Sequence, residues 1–142
     1  MTVFLDTDVI VDLLTMRDPF FNDSRELFTL IEDKKISAST SVLVIANIYY
    51  LIAKFKGKDE AKKAIIRLRL LLTILSVDPH MIDLALSSGF KDFEDGVQYC
   101  CAISNGLDII VTRNIKDYPA DDQKMIIMSP DEFLRYLKTK SL

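Results

Sequence analysis

Residues 91–118 read KDFEDGVQYCCAISNGLDIIVTRNIKDY, and this stretch decides the fold. Its first half is a predicted helix that ends near Asn105 and Gly106, a pair typical of helix C-caps. Residues 107–112 then form a nearly continuous apolar run, which predicts a strand buried on both faces. A helix that leads directly into such a strand is typical of a parallel sheet covered by helices.

The same alternation of strand and helix continues through the rest of the chain. Strands are predicted at 2–6, near 36–39, at 73–77 and at 125–128. Helices are predicted at about 9–14, 24–35, 41–55, 59–72, 79–88 and after Ser129, with Thr7 or Asp8 as the N-cap of the first. We therefore predict one domain, residues 1–142, with an α/β fold: a three-layer α/β/α sandwich around a central, mostly parallel sheet of about four to five strands.

Composition is typical of a globular protein and argues against several other classes. Of the 142 residues, 49% are hydrophobic and 27% are charged, which excludes intrinsic disorder and fibrous structure. Four glycines and four prolines are few for a β-sandwich or barrel, which needs many tight turns. No run approaches the roughly 18 apolar residues of a membrane span, and the N-terminus lacks a basic segment before an apolar one. We therefore expect a cytoplasmic protein with no membrane partner.

The chain has few residues suited to nucleophilic or histidine-based chemistry. His80 is the single histidine, so a multi-histidine zinc site is excluded and a Ser-His-Asp triad would have to use that residue. The sequence has no glycine-rich phosphate loop, and the adjacent Cys100 and Cys101 are interpreted as buried thiols. If the chain is an enzyme, carboxylates must perform most of its chemistry.

Acidic and amide side chains collect where predicted strands end and where a predicted helix begins. These residues are Asp6, Asp8, Asp92, Glu94, Asp95, Asn114 and Asp117. Ligands of open parallel sheets bind outside the carboxyl ends of the strands, and clustered carboxylates suit Mg²⁺ or Mn²⁺. Taken singly, most of these acids also fit helix N-caps, whereas Asp6 does so less easily because it closes an apolar strand. Together they predict a divalent-metal site.

Four segments of the chain carry a family resemblance. They are LDTDVIVDLL at 5–14, Arg-Asp-Pro-Phe at 17–20, the 91–118 stretch, and IIMSPDEFL at 126–134. In this order they resemble the PIN domain family, and more narrowly its bacterial toxin-type, VapC-like members. The resemblance covers nearly the whole chain. It implies a PIN-like fold and a ribonuclease that depends on Mg²⁺ or Mn²⁺ and cleaves RNA. It also implies a homodimer and an antitoxin protein as partner in a toxin–antitoxin pair.

The resemblance also implies roles for individual residues. By its motifs, Asp6, Asp95 and Asp117 bind the metal, and Asn114 precedes Asp117 in the arrangement of many toxin-type members.

This sequence departs from the family pattern in the helix predicted at 41–55. Many PIN domains have a glutamate there that faces the metal, but 41–55 contains no acid. Asn47 is its nearest polar candidate, and Glu94, beside Asp95, is a candidate to supply the missing charge. Asn47 and Glu94 therefore join the predicted catalytic residues.

Basic residues are candidates for RNA contacts. The predicted RNA-binding residues are Arg17, Lys62, Arg69, Arg113 and Lys116. The stretch 54–69 concentrates lysine and arginine in a chain of net charge −3. Such a strip either follows RNA phosphates or is a solvated helix face.

The sequence leaves two other functions open. One is a catalytically weak PIN-type module that binds RNA or protein, which the missing acid at Asn47 suggests. The other is a phosphotransfer receiver domain, which has similar size and strand-end acids. Asp78, after the predicted 73–77 strand, is the candidate acceptor for a receiver, but the last strand is followed by Ser129 where a receiver needs lysine.

Overall fold

Five short strands form the centre of the computed structural model, which describes residues 1–119 and 124–140. They are β1 (Thr2–Leu5), β2 (Ser37–Ser41), β3 (Thr73–Leu75), β4 (Ile109–Val111) and β5 (Ile126–Met128). All neighbouring strands pair in parallel, and their order across the sheet is β3-β2-β1-β4-β5. Except for Thr2, all residues of β1 and β4 are buried, because these apolar strands lie inside the sheet.

Seven α-helices surround the sheet in the part of the chain that the structure describes. They are α1 (Thr7–Leu14), α2 (Phe21–Glu32), α3 (Val42–Lys56), α4 (Lys58–Leu71), α5 (Pro79–Ser87), α6 (Phe93–Ser104) and α7 (Pro130–Thr139). A 3₁₀ turn, Ile115–Asp117, lies in the loop after β4. Because crossovers between parallel strands are right-handed, α1 to α4 cover one face of the sheet, and α5 and α6 cover the other. The predicted α/β sandwich with a parallel central sheet is confirmed.

The direction in which successive strands are added to the sheet reverses at β1. From β1 the chain proceeds outward through β2 to β3, and it then returns to form β4 and β5 on the other side of β1. Phe4 of β1 is in register with Ser39 of β2 and with Ile110 of β4. In open parallel sheets, ligands bind in the crevice at such a reversal, outside the carboxyl ends of the strands. The ends of β1 and β4 are therefore where a site is expected.

Helix α1 begins without a loop between it and β1. Its N-cap is Asp6, whose side chain accepts a hydrogen bond from the Thr7 backbone N. The prediction that Thr7 or Asp8 is the cap was wrong, because the residue that closes the strand also opens the helix. For the same reason Asp6 is a helix N-cap although it closes an apolar strand, a role that the sequence made less easy to assign.

Helix α2 begins earlier than the sequence predicts, at Phe21 rather than at Ser24. Ser24 is fully buried inside the helix, and its backbone N donates to the Phe20 carbonyl oxygen at 3.2 Å. Phe20 is the N-cap and provides no side-chain hydrogen bond. The sequence therefore has no capping residue that would mark this start.

Asp78 lies at the start of α5 and acts as its N-cap. Its side chain accepts a hydrogen bond from the Met81 backbone N at 2.9 Å. The strand before it, β3, lies at the edge of the sheet. A receiver domain needs its acceptor at the end of a middle strand, so the fold does not support that alternative.

The hydrophobic core packs the sheet against the helices around it. Phe4, Ile10, Ile110 and Phe133 are among its fully buried members. The two cysteines are buried free thiols, as predicted. Among the described residues, no helix has the length and apolar character needed to cross a membrane.

Candidate metal centre

Asp6 lies directly after β1, is 5% exposed, and accepts hydrogen bonds on both carboxylate oxygens. Oδ1 accepts from the Thr7 backbone N at 2.7 Å. Oδ2 accepts from the Thr112 hydroxyl at 2.8 Å and from the Tyr118 hydroxyl at 3.3 Å. Burial raises the pKa of Asp6, although these three hydrogen bonds oppose the shift. The contacts fix the orientation of the Asp6 carboxylate.

Asp8 lies in the first turn of α1 and has one unused carboxylate oxygen. Its Oδ2 accepts a hydrogen bond from the Arg113 backbone N at 3.0 Å, and the Thr112 hydroxyl is 3.4 Å away. Its Oδ1 is buried and has no hydrogen-bond partner among the described residues. Burial, followed by the negative charge of Asp6, raises the pKa of Asp8 to about 6. A bound cation would satisfy this oxygen.

Asp95 lies in the first turn of α6 and is 7% exposed. Its backbone N donates to the side chain of Asp92, the N-cap of this helix, at 3.0 Å. Burial raises the pKa of Asp95 to about 7, together with the negative charges of Asp6, Asp92, Asp117 and Asp8. We call these five residues, Asp6, Asp8, Asp92, Asp95 and Asp117, the acid cluster.

The acid cluster has the ligand atoms of a divalent-metal site, but its carboxylates do not converge on one point among the described residues. Its side-chain donors are carboxylate oxygens, which Mg²⁺ and Mn²⁺ prefer. Within residues 1–119 and 124–140, no three His, Cys, Asp or Glu side chains form a group that could hold a metal ion. Repulsion between carboxylates opposes such convergence, and a cation among them would remove the repulsion that raises the pKa of Asp95. The residues therefore fit Mg²⁺ or Mn²⁺, with Asp6, Asp95 and Asp117 as candidate ligands.

The loop after β4 brings Asp117 and Tyr118 to the acid cluster. Asp117 ends the 3₁₀ turn and is half-buried, whereas Asn114 is exposed and its backbone N donates to the Thr112 hydroxyl at 3.0 Å. Burial, followed by the negative charge of Asp6, raises the pKa of Tyr118, so its hydroxyl remains a donor at neutral pH. Two of the three groups that hold Asp6 are therefore side-chain hydroxyls from the segment that also carries Asp117.

Asn47 and Glu94 meet where α3 and α6 approach each other. Asn47 Nδ2 donates to Glu94 Oε2 at 3.1 Å. Close by, the Ser41 hydroxyl donates to Gln98 Oε1 at 2.8 Å, and the buried Gln98 Nε2 has no partner among the described residues. These two hydrogen bonds join the first half of α3 and its N-cap to the first half of α6, which also carries Asp95. The amide of Asn47 on α3 thus binds a carboxylate from α6.

The guanidinium of Arg113 is already engaged within the protein. Its Nε and Nη2 bind the Asp12 carboxylate at 2.6 Å and 3.1 Å, and the ring of Phe20 lies 4.0 Å from it. The other predicted RNA-binding residues are exposed: Arg17 after α1, Lys62 and Arg69 on α4, and Lys116 in the 3₁₀ turn.

Lys116 lies beside the acid cluster in a cleft of about 230 Å³. The cleft is also lined by Lys91, Asp117 and Tyr118. Two lysines thus adjoin one of the candidate metal ligands, and sequence reasoning had identified only Lys116.

The site contains residues whose contacts sequence reasoning missed. For Asp12 there was a signal, since a carboxylate on an otherwise apolar helix face, near Val9 and Ile10, requires a partner when it is buried. For Tyr118 and Lys91 no local signal exists, because their positions depend on contacts between distant segments.

Comparison with known families and proteins agrees with the fold. The PIN domain family model matches residues 2–116. Ribonuclease VapC1 of Aquifex aeolicus (strain VF5) is 27% identical over 139 residues, which cover 92% of this chain and 92% of that protein.

Two solved structures share the architecture. A toxin-antitoxin complex from Klebsiella pneumoniae gives a TM-score of 0.66 at 17% identity, covering 90% of this chain and 97% of that chain. Mycobacterium tuberculosis VapC20, described as a sarcin-ricin loop cleaving toxin, gives a TM-score of 0.61 at 17% identity, covering 84% of this chain and 91% of that chain. At these identities, the similarity is one of fold.

Proposed function

Because the chain belongs to the PIN domain family, we propose that it is a divalent-metal-dependent endoribonuclease, the toxin component of a toxin–antitoxin pair. The observation that carries this proposal is the acid cluster at the reversal of the sheet, where burial and four neighbouring charges raise the pKa of Asp95 to about 7. The similar Aquifex protein is named a ribonuclease, which gives the substrate class.

The proposed chemistry is hydrolysis of an RNA phosphodiester by water. A bound Mg²⁺ or Mn²⁺ would supply a Lewis acid and lower the pKa of a coordinated water, so that this water can attack phosphorus. Asp6, Asp95 and Asp117 would hold the ion. Thr112 and Tyr118 support this role, because their hydroxyls keep the Asp6 carboxylate in place at 2.8 Å and 3.3 Å.

Three further residues complete the proposed catalytic set. Glu94, bound by Asn47 at 3.1 Å, would supply the charge that relatives place on the α3 helix. The exposed side chain of Asn114 would contact the substrate phosphate near the ion. None of these three roles requires a histidine.

We propose that RNA phosphates next to the scissile one bind in the cleft of Lys91 and Lys116. Two ammonium groups beside Asp117 attract the RNA backbone to the acid cluster, which would otherwise repel it. Arg17, Lys62 and Arg69 remain candidate phosphate contacts farther along the strand.

RNA cleavage by purified protein in Mn²⁺, Mg²⁺ or EDTA tests the proposal. With a mixed-sequence single-stranded RNA, we expect cleavage in either metal, none in EDTA, and a loss of about 100-fold or more in Asp6→Asn and Asp95→Asn. Asp83→Asn is the matched control, because Asp83 is an exposed carboxylate on α5. Cleavage that survives both cluster substitutions would contradict the proposed site.

We further propose that the protein acts in the cytoplasm as a homodimer and binds an antitoxin protein. The Klebsiella structure of similar fold is described as a toxin-antitoxin complex, which supports the antitoxin. Light scattering of the purified chain tests the dimer, and co-purification with the product of an adjacent reading frame tests the antitoxin. A monomer at micromolar concentration would contradict the first proposal, and absence of a binding neighbour would contradict the second.

A catalytically weak RNA-binding module is the second candidate function. The observation that favours it is Asn47, which brings no charge to α3, together with a cluster whose acids do not converge within the described residues. RNA binding without cleavage by folded protein in excess Mn²⁺ would select this candidate.

A further inference from the structure

Asp12 is a fully buried carboxylate on α1, and its ion-pair partner is Arg113, from the loop after β4. The pair is joined at two points, with distances of 2.6 Å from Nε and 3.1 Å from Nη2, so the plane of the guanidinium is fixed. The Phe20 ring lies 4.0 Å from the guanidinium carbon and covers one face. Only 22% of the Arg113 side chain is exposed.

The anchored residue belongs to a segment, residues 112–114, that holds the acid cluster. The Arg113 backbone N donates to Asp8 Oδ2 at 3.0 Å. The Thr112 hydroxyl donates a hydrogen bond to Asp6 Oδ2 at 2.8 Å and accepts one from the Asn114 backbone N at 3.0 Å. Thr112 and Arg113 therefore support the carboxylates of Asp6 and Asp8, and the side chain of Arg113 is also bound to α1 through Asp12.

This arrangement competes with RNA contacts that require the Arg113 guanidinium to turn away from Asp12. Two of the five N–H groups of the guanidinium bind Asp12, so a phosphate could reach only the remaining three, on a side chain that is 22% exposed. Turning the guanidinium toward RNA would leave the buried Asp12 charge without a partner, which is strongly unfavourable. A surface phosphate contact, screened by water and salt, offers less in return.

We propose that Arg113 is a positioning residue that holds the 112–114 segment against α1, and through it Asp6 and Asp8 in the geometry that receives the metal. Arg113 does this from its ion pair with Asp12, and it does not bind RNA. This inference rests on the proposed function, because it assigns Arg113 a task in the metal site of that reaction. It adds Asp12 to the functional set, although Asp12 contacts neither metal nor substrate.

The test compares three variants by three measurements. The variants are Arg113→Met, Asp12→Asn and the double Asp12→Asn/Arg113→Met. The measurements are Mn²⁺ affinity by calorimetry without RNA, affinity for a labelled single-stranded RNA in EDTA over a salt series, and hydrogen exchange of residues 112–118. Arg135→Met is the matched control, because Arg135 forms an exposed ion pair with Asp131.

We expect each single variant to bind Mn²⁺ about tenfold more weakly or worse, because both remove the same support of the metal ligands. The double variant should bind Mn²⁺ no more weakly than the single variants do, since the two residues act as a unit. Hydrogen exchange at 112–118 should become faster, and RNA affinity should stay within about twofold with an unchanged salt slope. Arg113→Lys should restore Mn²⁺ binding in part, because it keeps the charge but not the two-point geometry.

Two results would overturn the inference. One is weaker RNA binding by Arg113→Met, with a salt slope lower by about one phosphate and unchanged Mn²⁺ affinity. The other is stronger RNA binding by Asp12→Asn, which would show that the ion pair restrains an arginine that binds RNA.

These measurements distinguish an unfolded variant, a protein without the proposed function, and an Arg113 without the positioning role. Arg113→Met leaves a buried charge without its partner and can unfold, whereas the double variant has two neutral side chains and keeps the measurement in a folded protein. If the wild type neither binds Mn²⁺ nor cuts RNA, the proposed function fails. Hydrogen exchange is then the only measurement that tests the positioning role. Unchanged exchange at 112–118 in the folded double variant would overturn that role.

Discussion

Burial, followed by the charges of the acid cluster, raises the pKa of Asp95. In the metal-free protein, its pKa of about 7 lies above the ordinary value of 3.8 because of burial and the charges of Asp6, Asp92, Asp117 and Asp8. The folded state therefore holds the Asp95 proton more tightly than the unfolded chain does between these two values. The free energy of unfolding must fall as pH rises through this window.

Asp95→Asn should therefore stabilise the metal-free protein at pH 8. We expect a gain of about 1–2 kcal/mol, well below the full value of the pKa shift because water screens the cluster. Thermal unfolding in EDTA from pH 5 to pH 8 measures it. The wild-type Tm should fall over this range, and the Asp95→Asn Tm should fall less. A wild-type Tm that rises with pH, or an Asp95→Asn variant less stable than Asp83→Asn at pH 8, would contradict this account.

Glu94 is the proposed source of the charge that the resemblance to the PIN family expects on α3, where this chain has Asn47. Glu94→Gln keeps a polar side chain on α6 but removes the charge, so we expect about tenfold weaker Mn²⁺ binding or fewer ions per chain. A calorimetric Mn²⁺ titration measures both quantities. Glu60→Gln, an exposed change on α4, is the control. A Glu94→Gln titration identical to that of the control would show that Glu94 plays no part in the metal site.

At the level of elements, local patterns predicted most of the fold. The α7 start was predictable because Ser129 and Glu132 form a capping box within four residues of sequence, and the structure contains it. The α2 start was not, because Phe20 provides no capping side chain. The order of the strands was also beyond the sequence, since it depends on which strands pair rather than on where they begin.

In the candidate site, too, local patterns indicated some residues, whereas contacts between distant segments could not be predicted. Asp6, Asp95 and Asp117 were among the candidate acids because each stands where a strand ends, a helix begins or a loop follows a strand, and the family resemblance selected these three as metal ligands. The Asp12–Arg113 ion pair and the Tyr118 hydrogen bond join positions about a hundred residues apart. The local pattern shows that a buried Asp12 needs a partner, but it does not identify Arg113, and it does not indicate the Tyr118 contact.

Two elements compete as the path of RNA, namely the cleft at the 3₁₀ turn and helix α4. The cleft has the exposed Lys91 and Lys116, and α4 has five exposed basic residues, from which Lys62 and Arg69 are taken so that equal changes of charge can be compared. We expect Lys91→Ala/Lys116→Ala to weaken RNA binding and to lower the salt slope by about two phosphates. Lys62→Ala/Arg69→Ala is the matched pair, with a smaller expected effect because no described contact links α4 to the acid cluster. A larger slope change for the α4 pair would place the RNA along that helix instead.

At the scale of the whole molecule, metal and proton compete for one cluster that the fold assembles from β1, α6 and the loop after β4. A ligand that binds only the folded state stabilises it, by about 2.7 kcal/mol at one hundred times its Kd. We expect Mn²⁺ to raise the Tm more at pH 8 than at pH 5, because protons displace the ion from carboxylates of raised pKa. Thermal unfolding with and without Mn²⁺ at both pH values measures this. A Tm increase of equal size in Asp6→Asn would mean that the ion binds elsewhere.

In the proposed reaction, the acid cluster directs water, rather than the RNA's own 2′-hydroxyl, to the scissile phosphate. Analysis of the ends of the cleaved RNA tests this most directly, because the two reactions break the chain differently. We expect 5′-phosphate and 3′-hydroxyl ends, formed only when Mg²⁺ or Mn²⁺ is present and absent in Asp95→Asn. Ends carrying a 2′,3′-cyclic phosphate, or cleavage that persists in EDTA, would contradict metal-dependent attack by water at the acid cluster.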